Sequence, residues 1–157
     1  MGVYQIVCEG TSVLREKAKE ITKFNEATAR LLDNLRDTLE ATDTGVGLAA
    51  PQIGIAKQAV VIRTEEDGYY EMINPHILSG EGREDGWEGC LSIPGVEGLV
   101  PRQQKISVAY KDRQGKAMQL EAEGFFARVI QHEYDHLMGV LFTDRALEVA
   151  EIQAKED

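Results

Sequence analysis

The chain has 157 residues, of which 43% are hydrophobic and 28% charged, so it is long enough for one domain and too short for a multidomain protein. This composition lies far from that of disordered proteins, which combine low hydrophobicity with high net charge. The 27 acidic residues outnumber the 17 basic ones and leave a formal charge of −10, which disfavours binding to nucleic acid or to anionic membranes.

The N-terminal residues carry no targeting motif. The opening MGVYQIVCEG has no basic segment followed by an apolar run, and Ile6 stands where an N-myristoylation motif needs Ser or Thr. The longest uncharged stretch, residues 44–56, is interrupted by glycines and a proline and is shorter than the ~20 residues that cross a bilayer. We therefore expect a cytoplasmic protein without a transmembrane segment, in a compartment where Cys8 and Cys90 stay reduced.

The first predicted element is an amphipathic helix near the N-terminus. Four leucines at positions 31, 32, 35 and 39 share one helix face, and Gly45 follows as a stop. This pattern predicts a helix over residues 25–42.

Four short segments rich in β-branched and aromatic residues follow, and they read as strands. Residues 112–115 (DRQG) predict a hairpin turn between the last two strands. Strands without alternating helices favour an α+β fold. The four predicted strands cover residues 57–64, 69–74, 105–111 and 116–122.

Residues 124–139 predict a second helix, which contains the motif HExxH. His132 and His136 lie about one turn apart, so both imidazoles can ligate one metal ion, while Glu133 is offset toward a water in the open coordination position. The alternative is a surface helix with solvated side chains. The apolar neighbours Phe126 and Val129 favour a buried helix, in which His and Glu must be paired or metal-bound.

The third metal ligand decides the class of site. Phe142 stands where the longer motif HExxHxxGxxH needs a histidine, and a glutamate ligand would have to come from a short charged C-terminal segment. Cys90 and His76 are the remaining strong candidates, and we favour Cys90 because its neighbour Gly89 allows close approach of the backbone. We expect Cys8 to be a small buried side chain.

Residues 45–52 (GVGLAAPQ) are small residues that end in a neutral amide. Such a segment lets the backbone approach a substrate, and Gln52 can donate a hydrogen bond without adding charge. A glycine-rich turn after a helix is more often only a turn. The GK[ST] ending of a phosphate-binding loop is missing.

Together, three segments resemble peptide deformylase: GVGLAAPQ, EGCLS and QHEYDH stand in the family's order and with similar spacing, and the resemblance extends to about Asp144. It implies an α+β fold of mostly antiparallel sheets around the HExxH helix. It also implies hydrolytic removal of the formyl group from N-formylmethionine of newly made polypeptides. The expected domain covers residues 1–145, followed by a short acidic tail over residues 146–157.

The resemblance also implies the roles of the site residues. Cys90, His132 and His136 would hold one divalent metal ion, with iron(II) expected and zinc or nickel possible. Glu133 would be the general base and acid that acts on a metal-bound water. Gln52 and the backbone N–H of Leu91 would stabilise the developing oxyanion.

The methionine side chain needs an apolar pocket. We expect it to be lined by residues of the helix and of the two other motifs, with ordinary core packing as the alternative for any one of them. Arg128 either borders the pocket mouth or lies solvated along the helix edge. The expected substrate-binding residues are Gly45, Val46, Gly47, Gly89, Phe125 and Val129.

Two other classes of protein compete with this interpretation. A zinc peptidase shares the HExxH chemistry but is disfavoured by Phe142 and by the motif around Cys90. A non-catalytic metal-binding or ribosome-associated module is disfavoured by the presence of Glu133 and Gln52. We expect nascent peptides as partners, transient contact with the ribosome at most, and no binding to nucleic acid or membranes.

Overall fold

Residues 2–152 are described by a computed structural model, and within them eight strands form two antiparallel sheets. The five-stranded sheet has the order β1-β2-β3-β6-β7 and the three-stranded sheet the order β4-β5-β8. The strands are β1 (Gly47–Ala49), β2 (Ala59–Thr64), β3 (Gly68–Glu81), β4 (Glu84–Cys90), β5 (Ile93–Arg102), β6 (Lys105–Lys111), β7 (Ala117–Glu123) and β8 (Glu148–Glu151). The helices are α1 (Glu26–Glu40), α2 (Gly124–Leu137) and the short α3 (Phe142–Arg145). The predicted α+β class with antiparallel sheets is confirmed.

Helix α1 begins where its sequence provides a cap. The side chain of Asn25 accepts a hydrogen bond from the backbone N–H of Thr28 at 3.2 Å, which satisfies a free donor of the first turn. The leucines of the predicted face are buried and pack against β2 and the segment around β1. The helix ends within two residues of the predicted limit at residue 42.

Helix α2 carries the HExxH motif and packs against the five-stranded sheet. Phe126, Ile130 and Leu137 lie in one core cluster with Val60 and Val108 of that sheet. Gly139 follows with φ 76°, and a β-carbon there would come within 2.6 Å of the Arg15 carbonyl oxygen. Only glycine therefore fits where the chain leaves this helix.

Strand β3 continues well beyond its predicted end at residue 74. Pro75 removes a donor from the ladder, and the register between Ile73 and His76 is irregular there. Asn74, at φ 52°, accepts a hydrogen bond from the Ile21 N–H and donates one to the Ile21 carbonyl, both at 2.8 Å. The amide thus supports the irregular backbone, so the strand resumes after it.

Strands β4 and β5 were not predicted. Their sequences, EDGWEGC and IPGVEGLVPR, are rich in Gly, Pro and acidic residues, which have low β-propensity. The two strands pair with each other from Glu84↔Arg102 to Cys90↔Ile93. Non-local pairing and packing stabilise these strands, and a local residue pattern cannot predict such contacts.

The predicted acidic tail contains β8, which pairs antiparallel with β5 from Leu99↔Glu148 to Val96↔Glu151. This part of the tail therefore shares a sheet with residues of the predicted domain 1–145. Residues 153–157 of the predicted tail lie outside the described residues.

Within residues 2–152, every helix is too short or too polar to cross a membrane.

Candidate active site

A cavity of about 360 Å³ opens between the segment before β1, the end of β4 and helix α2. It brings together parts of all three sequence motifs. The six expected substrate-binding residues line it, as do Gln52, Leu91, Cys90, His132 and Glu133. Thr44, Trp87, Glu88 and Arg128 complete the lining.

Three potential metal ligands converge beside this cavity. One ligand atom from each of Cys90, His132 and His136 lies within 4.8 Å of the others, and the Cys90 Sγ lies 3.3 Å from the His136 Nε2. Cys90 is the last residue of β4, and the two histidines lie one turn apart on α2. His76, the alternative third ligand, is exposed on β3 and is not in this cluster.

The sulfur of Cys90 is surrounded by donors. The Ser92 N–H lies 3.5 Å from Sγ and the Gln52 Nε2 lies 3.6 Å from it. Both donors lie near the sulfur atom of the ligand cluster. Cys8, by contrast, is exposed, so the expectation that it is buried is wrong. The flanking N–H groups of Val7 and Glu9 bind backbone carbonyls of the domain, and Cys8 lies between them.

Glu88 is hydrogen-bonded to the Nδ1 side of His132. Its Oε1 lies 2.9 Å from the His132 Nδ1, and Arg102 donates two hydrogen bonds of 2.9 Å to the same carboxylate. Burial would raise the pKa of Glu88, but the hydrogen bonds from His132 and Arg102 outweigh it and hold the pKa at about 2. An ionised Glu88 accepts the Nδ1 proton, so Nε2 is the ring atom left to ligate a metal ion.

The two imidazoles are in different electrostatic surroundings. Burial would lower the pKa of His132, yet hydrogen bonds to Cys90 and Glu88 and the charge of Glu133 raise it to about 10. The groups around His132 thus favour a positive charge on its imidazole ring. Burial, and then the charges of His132 and Arg102, lower the pKa of His136 well below its usual range.

Glu133 is buried against the backbone of β1. It is 4% exposed, and its Oε1 is sealed without a hydrogen-bond partner. Burial raises the pKa of this carboxyl to about 7. A β-carbon on Gly47 would come within 2.6 Å of the Glu133 Oε2, so glycine is required here for the carboxylate to lie where it does.

The amide of Gln52 is held in one orientation. Its Oε1 accepts the Ala49 N–H at 2.9 Å, and its Nε2 donates to the Ser92 Oγ at 3.1 Å. Because both ends of the amide are engaged, the NH₂ group points toward the cysteine and the cavity. The small residues before it form β1 and a single 3-10 turn.

A second buried carboxylate ties α2 to β5. Asp135 accepts a hydrogen bond of 2.7 Å from Arg102 and is also paired with Arg145. Sequence reasoning missed the partners of both Asp135 and Glu88. Glu88 lies in the motif EGCLS and Asp135 in the motif HEYDH. Because buried carboxylates are paired, each of them predicts a basic partner. Their arginines lie too far away in the sequence to be assigned by spacing.

Arg128 lines the cavity as a buried residue and is not solvated. It is 7% exposed, and its Nη1 donates to the Glu88 Oε2 at 2.7 Å. Phe125 and Trp87 are at least half exposed at the same cavity, so they form its mouth.

The chain matches known proteins over almost its whole length. The family model described as polypeptide deformylase matches residues 3–151. A peptide deformylase from Pelotomaculum thermopropionicum is 48% identical over 157 residues, which is 100% of both chains. The crystal structure of peptide deformylase from Thermotoga maritima has a TM-score of 0.89 at 41% identity and covers 93% of this chain and 99% of that one. A peptide deformylase from Synechococcus elongatus, in complex with actinonin, has a TM-score of 0.89 at 41% identity, covering 94% of this chain and 81% of that one.

The match to the family model and the identity over the full length carry the same conclusion as the three motifs at the cavity. This chain belongs to the polypeptide deformylase family.

Proposed function

We propose that this protein hydrolyses the formyl group of N-formylmethionine at the start of newly made polypeptides and releases formate. The observation that carries the proposal is the grouping of Cys90, His132 and His136 beside a cavity that Glu133 also lines. Amide hydrolysis at neutral pH needs an electrophile and a base that meet at one point. The ligand cluster supports a bound metal ion as the electrophile, and Glu133 supports the role of the base.

One divalent metal ion fits the donor set of Cys90, His132 and His136. The Nδ1 of His132 is engaged by Glu88, which leaves Nε2 as the ligand atom, and the Sγ of Cys90 lies in the same cluster. When bound, the ion supplies a coordination position for water, lowers the pKa of that water and polarises the formyl carbonyl. We propose iron(II), with zinc and nickel as ions that the same donors accept.

Glu133 acts first as general base and then as general acid. Glu133 lines the cavity, and the missing side chain at Gly47 leaves room for its carboxylate there. It takes a proton from that water as the new C–O bond forms at the formyl carbon, and it gives the proton to the nitrogen as the C–N bond breaks. The products are formate and a free methionyl amine.

Gln52 and the backbone N–H of Leu91 stabilise the negative charge that develops on the formyl oxygen. The fixed orientation of the Gln52 amide supports this role, because Oε1 accepts the Ala49 N–H and the donor end, Nε2, is held at the cavity by its bond to the Ser92 Oγ. A donor that is already oriented needs no rearrangement during the reaction and is worth about 3 kcal/mol of barrier.

The side chain of methionine lies in the cavity between α2 and the two glycine-containing segments. Val129 and Phe125 on α2 and Val46 before β1 provide apolar surface, and Gly45, Gly47 and Gly89 also line this cavity. This arrangement supports the binding of an apolar side chain.

The partners that we propose are nascent peptides in the cytoplasm. The net charge of −10 opposes binding to nucleic acid. Residues 146–157 contain four acidic residues and one lysine, so they would repel ribosomal RNA, and we propose that contact with the ribosome is transient at most.

The deciding experiment compares two peptides that differ only in the formyl group. Protein purified without oxygen is assayed for its metal content, for formate release from formyl-Met-Ala-Ser, and for cleavage of the same peptide without the formyl group. We expect about one metal ion per chain and formate release that a chelator abolishes. Cleavage of the unformylated peptide without formate release would instead identify a peptidase and contradict the proposal.

A further inference from the structure

The wall of the candidate substrate cavity contains a buried cation, Arg128. This residue lies one turn before His132 on α2, and its side chain is 9% exposed. A pocket for methionine alone has no need of a guanidinium, because a thioether accepts hydrogen bonds only weakly.

The guanidinium of Arg128 is only partly satisfied. Its Nη1 donates to the Glu88 Oε2 at 2.7 Å and to the Val100 carbonyl at 3.0 Å, and its Nη2 donates to the Glu84 carbonyl at 2.7 Å. A guanidinium has five N–H groups. The Nε–H and one N–H of Nη2 therefore have no acceptor among residues 2–152.

The unused Nε–H is not sealed inside the protein. The sealed, unpaired side-chain atoms of the described residues are Gln58 Oε1, Glu133 Oε1 and His136 Nδ1, so the Arg128 Nε keeps accessible surface. The cavity that Arg128 lines is the candidate substrate cavity. Gly86 makes room for the group, because a β-carbon there would lie 2.9 Å from Cζ and 3.2 Å from Nε.

The charges nearby restrict the ligand that this donor can take. Glu88 is in direct contact with Arg128, and Glu133 lines the same cavity, so an acidic side chain would meet two carboxylates. A neutral side chain with a strong acceptor near its end avoids this repulsion and satisfies the free N–H. Oxidation converts methionine into such a side chain, since the sulfoxide keeps the length of methionine and adds an S=O acceptor.

We propose that Arg128 is a specificity-determining residue that lets this protein also deformylate peptides beginning with N-formylmethionine sulfoxide. The free N–H of the guanidinium donates to the sulfoxide oxygen, while the methylene stem of the side chain keeps contact with unoxidised methionine. This inference rests on the proposed function, because it assigns a second substrate to the same cavity and the same hydrolysis.

The test measures kcat/KM for formyl-X-Ala-Ser peptides in which X is methionine, norleucine or methionine sulfoxide. The ratio of sulfoxide to norleucine within one preparation does not depend on metal occupancy. For the unchanged protein we expect the two values to lie within about tenfold of each other, whereas an apolar pocket would reject the sulfoxide by about 100-fold or more. A loss greater than tenfold would contradict the inference even if no variant folds.

The matched variants are Arg128→Met, which keeps the stem without its donors, and Arg36→Met, which removes a half-exposed arginine from α1. We expect Arg128→Met to lower the sulfoxide-to-norleucine ratio by about tenfold, as for a lost hydrogen bond from a charged donor, and Arg36→Met to leave it unchanged. Equal ratios in all three proteins would overturn the role of Arg128. Absence of formate release from the formylmethionyl peptide would instead contradict the proposed function itself.

Discussion

The carboxylate of Glu133 and the α-carbon of Gly47 are in direct contact across the interface between α2 and β1, so closely that a β-carbon on Gly47 would come within 2.6 Å of Oε2. The structure gives Gly47 no positive φ. Space around the carboxylate, and not backbone conformation, therefore requires glycine at this position.

The variant Gly47→Ala tests this contact. The added methyl group must displace the carboxylate of Glu133 from its position, and misplacement of a general base by about 1 Å costs on the order of 100-fold in rate. We expect kcat for formate release to fall by about that factor with unchanged metal content. Normal kcat in this variant would show that the position of Glu133 is not critical.

The variant Glu133→Gln separates metal binding from catalysis. Glu133 is not one of the three clustered ligand residues, so metal content should stay at the level of the unchanged protein. Turnover should fall by at least about 100-fold, as expected for a lost general base. Formate release and metal analysis on the same sample decide this, and near-normal turnover would remove Glu133 from the mechanism.

The two cysteines provide a matched pair of variants. Cys90→Ala leaves two imidazoles, which hold a divalent ion weakly, so we expect loss of both metal and activity. Cys8→Ala removes an exposed thiol and should change neither. Retention of one tightly bound ion per chain by the Cys90 variant would mean that the third ligand is another residue.

The variant Gln52→Leu removes the proposed oxyanion donor. We expect kcat to fall on the order of 100- to 1,000-fold, with KM and metal content little changed. The amide also bonds the Ala49 N–H and the Ser92 Oγ, so a thermal melt establishes that the variant is folded at the assay temperature. A change confined to KM would mean that Gln52 only positions the substrate.

The variant Glu88→Gln tests the carboxylate behind His132. Glu88 is 5% exposed at its side chain and is paired with Arg102, Arg128 and His132, and removing one partner of a buried ion pair costs about 3–5 kcal/mol. We expect the free energy of unfolding to fall by roughly this amount and the metal Kd to rise about 10- to 100-fold. Glu40→Gln is the control, because its pair with Arg36 is half exposed and solvent screens it, so we expect little change in stability. An unchanged metal Kd in folded Glu88→Gln would show that Glu88 does not orient the ligand.

Elements whose formation depends on local residue patterns can be predicted from the amino-acid sequence. Helix α1 follows from the spacing of its leucines, and strand β6 has the predicted limits of residues 105 and 111. HExxH predicted two clustered histidines because helical periodicity alone places residues i and i+4 on one face. The preference for Cys90 as their companion agrees with the cluster in the structure.

Elements and contacts that join distant parts of the chain could be identified only in the folded protein. Strands β4, β5 and β8 have little β-propensity, and their mutual pairing forms the second sheet. Likewise Glu88 meets Arg102 and Arg128, and Gly47 meets Glu133, across 14 to 86 residues of sequence. Spacing rules apply within a helix or a strand. Contacts between elements depend on how the two sheets pack against α2. Buried charged groups there are paired with groups from other elements, because an unpaired buried charge is unfavourable.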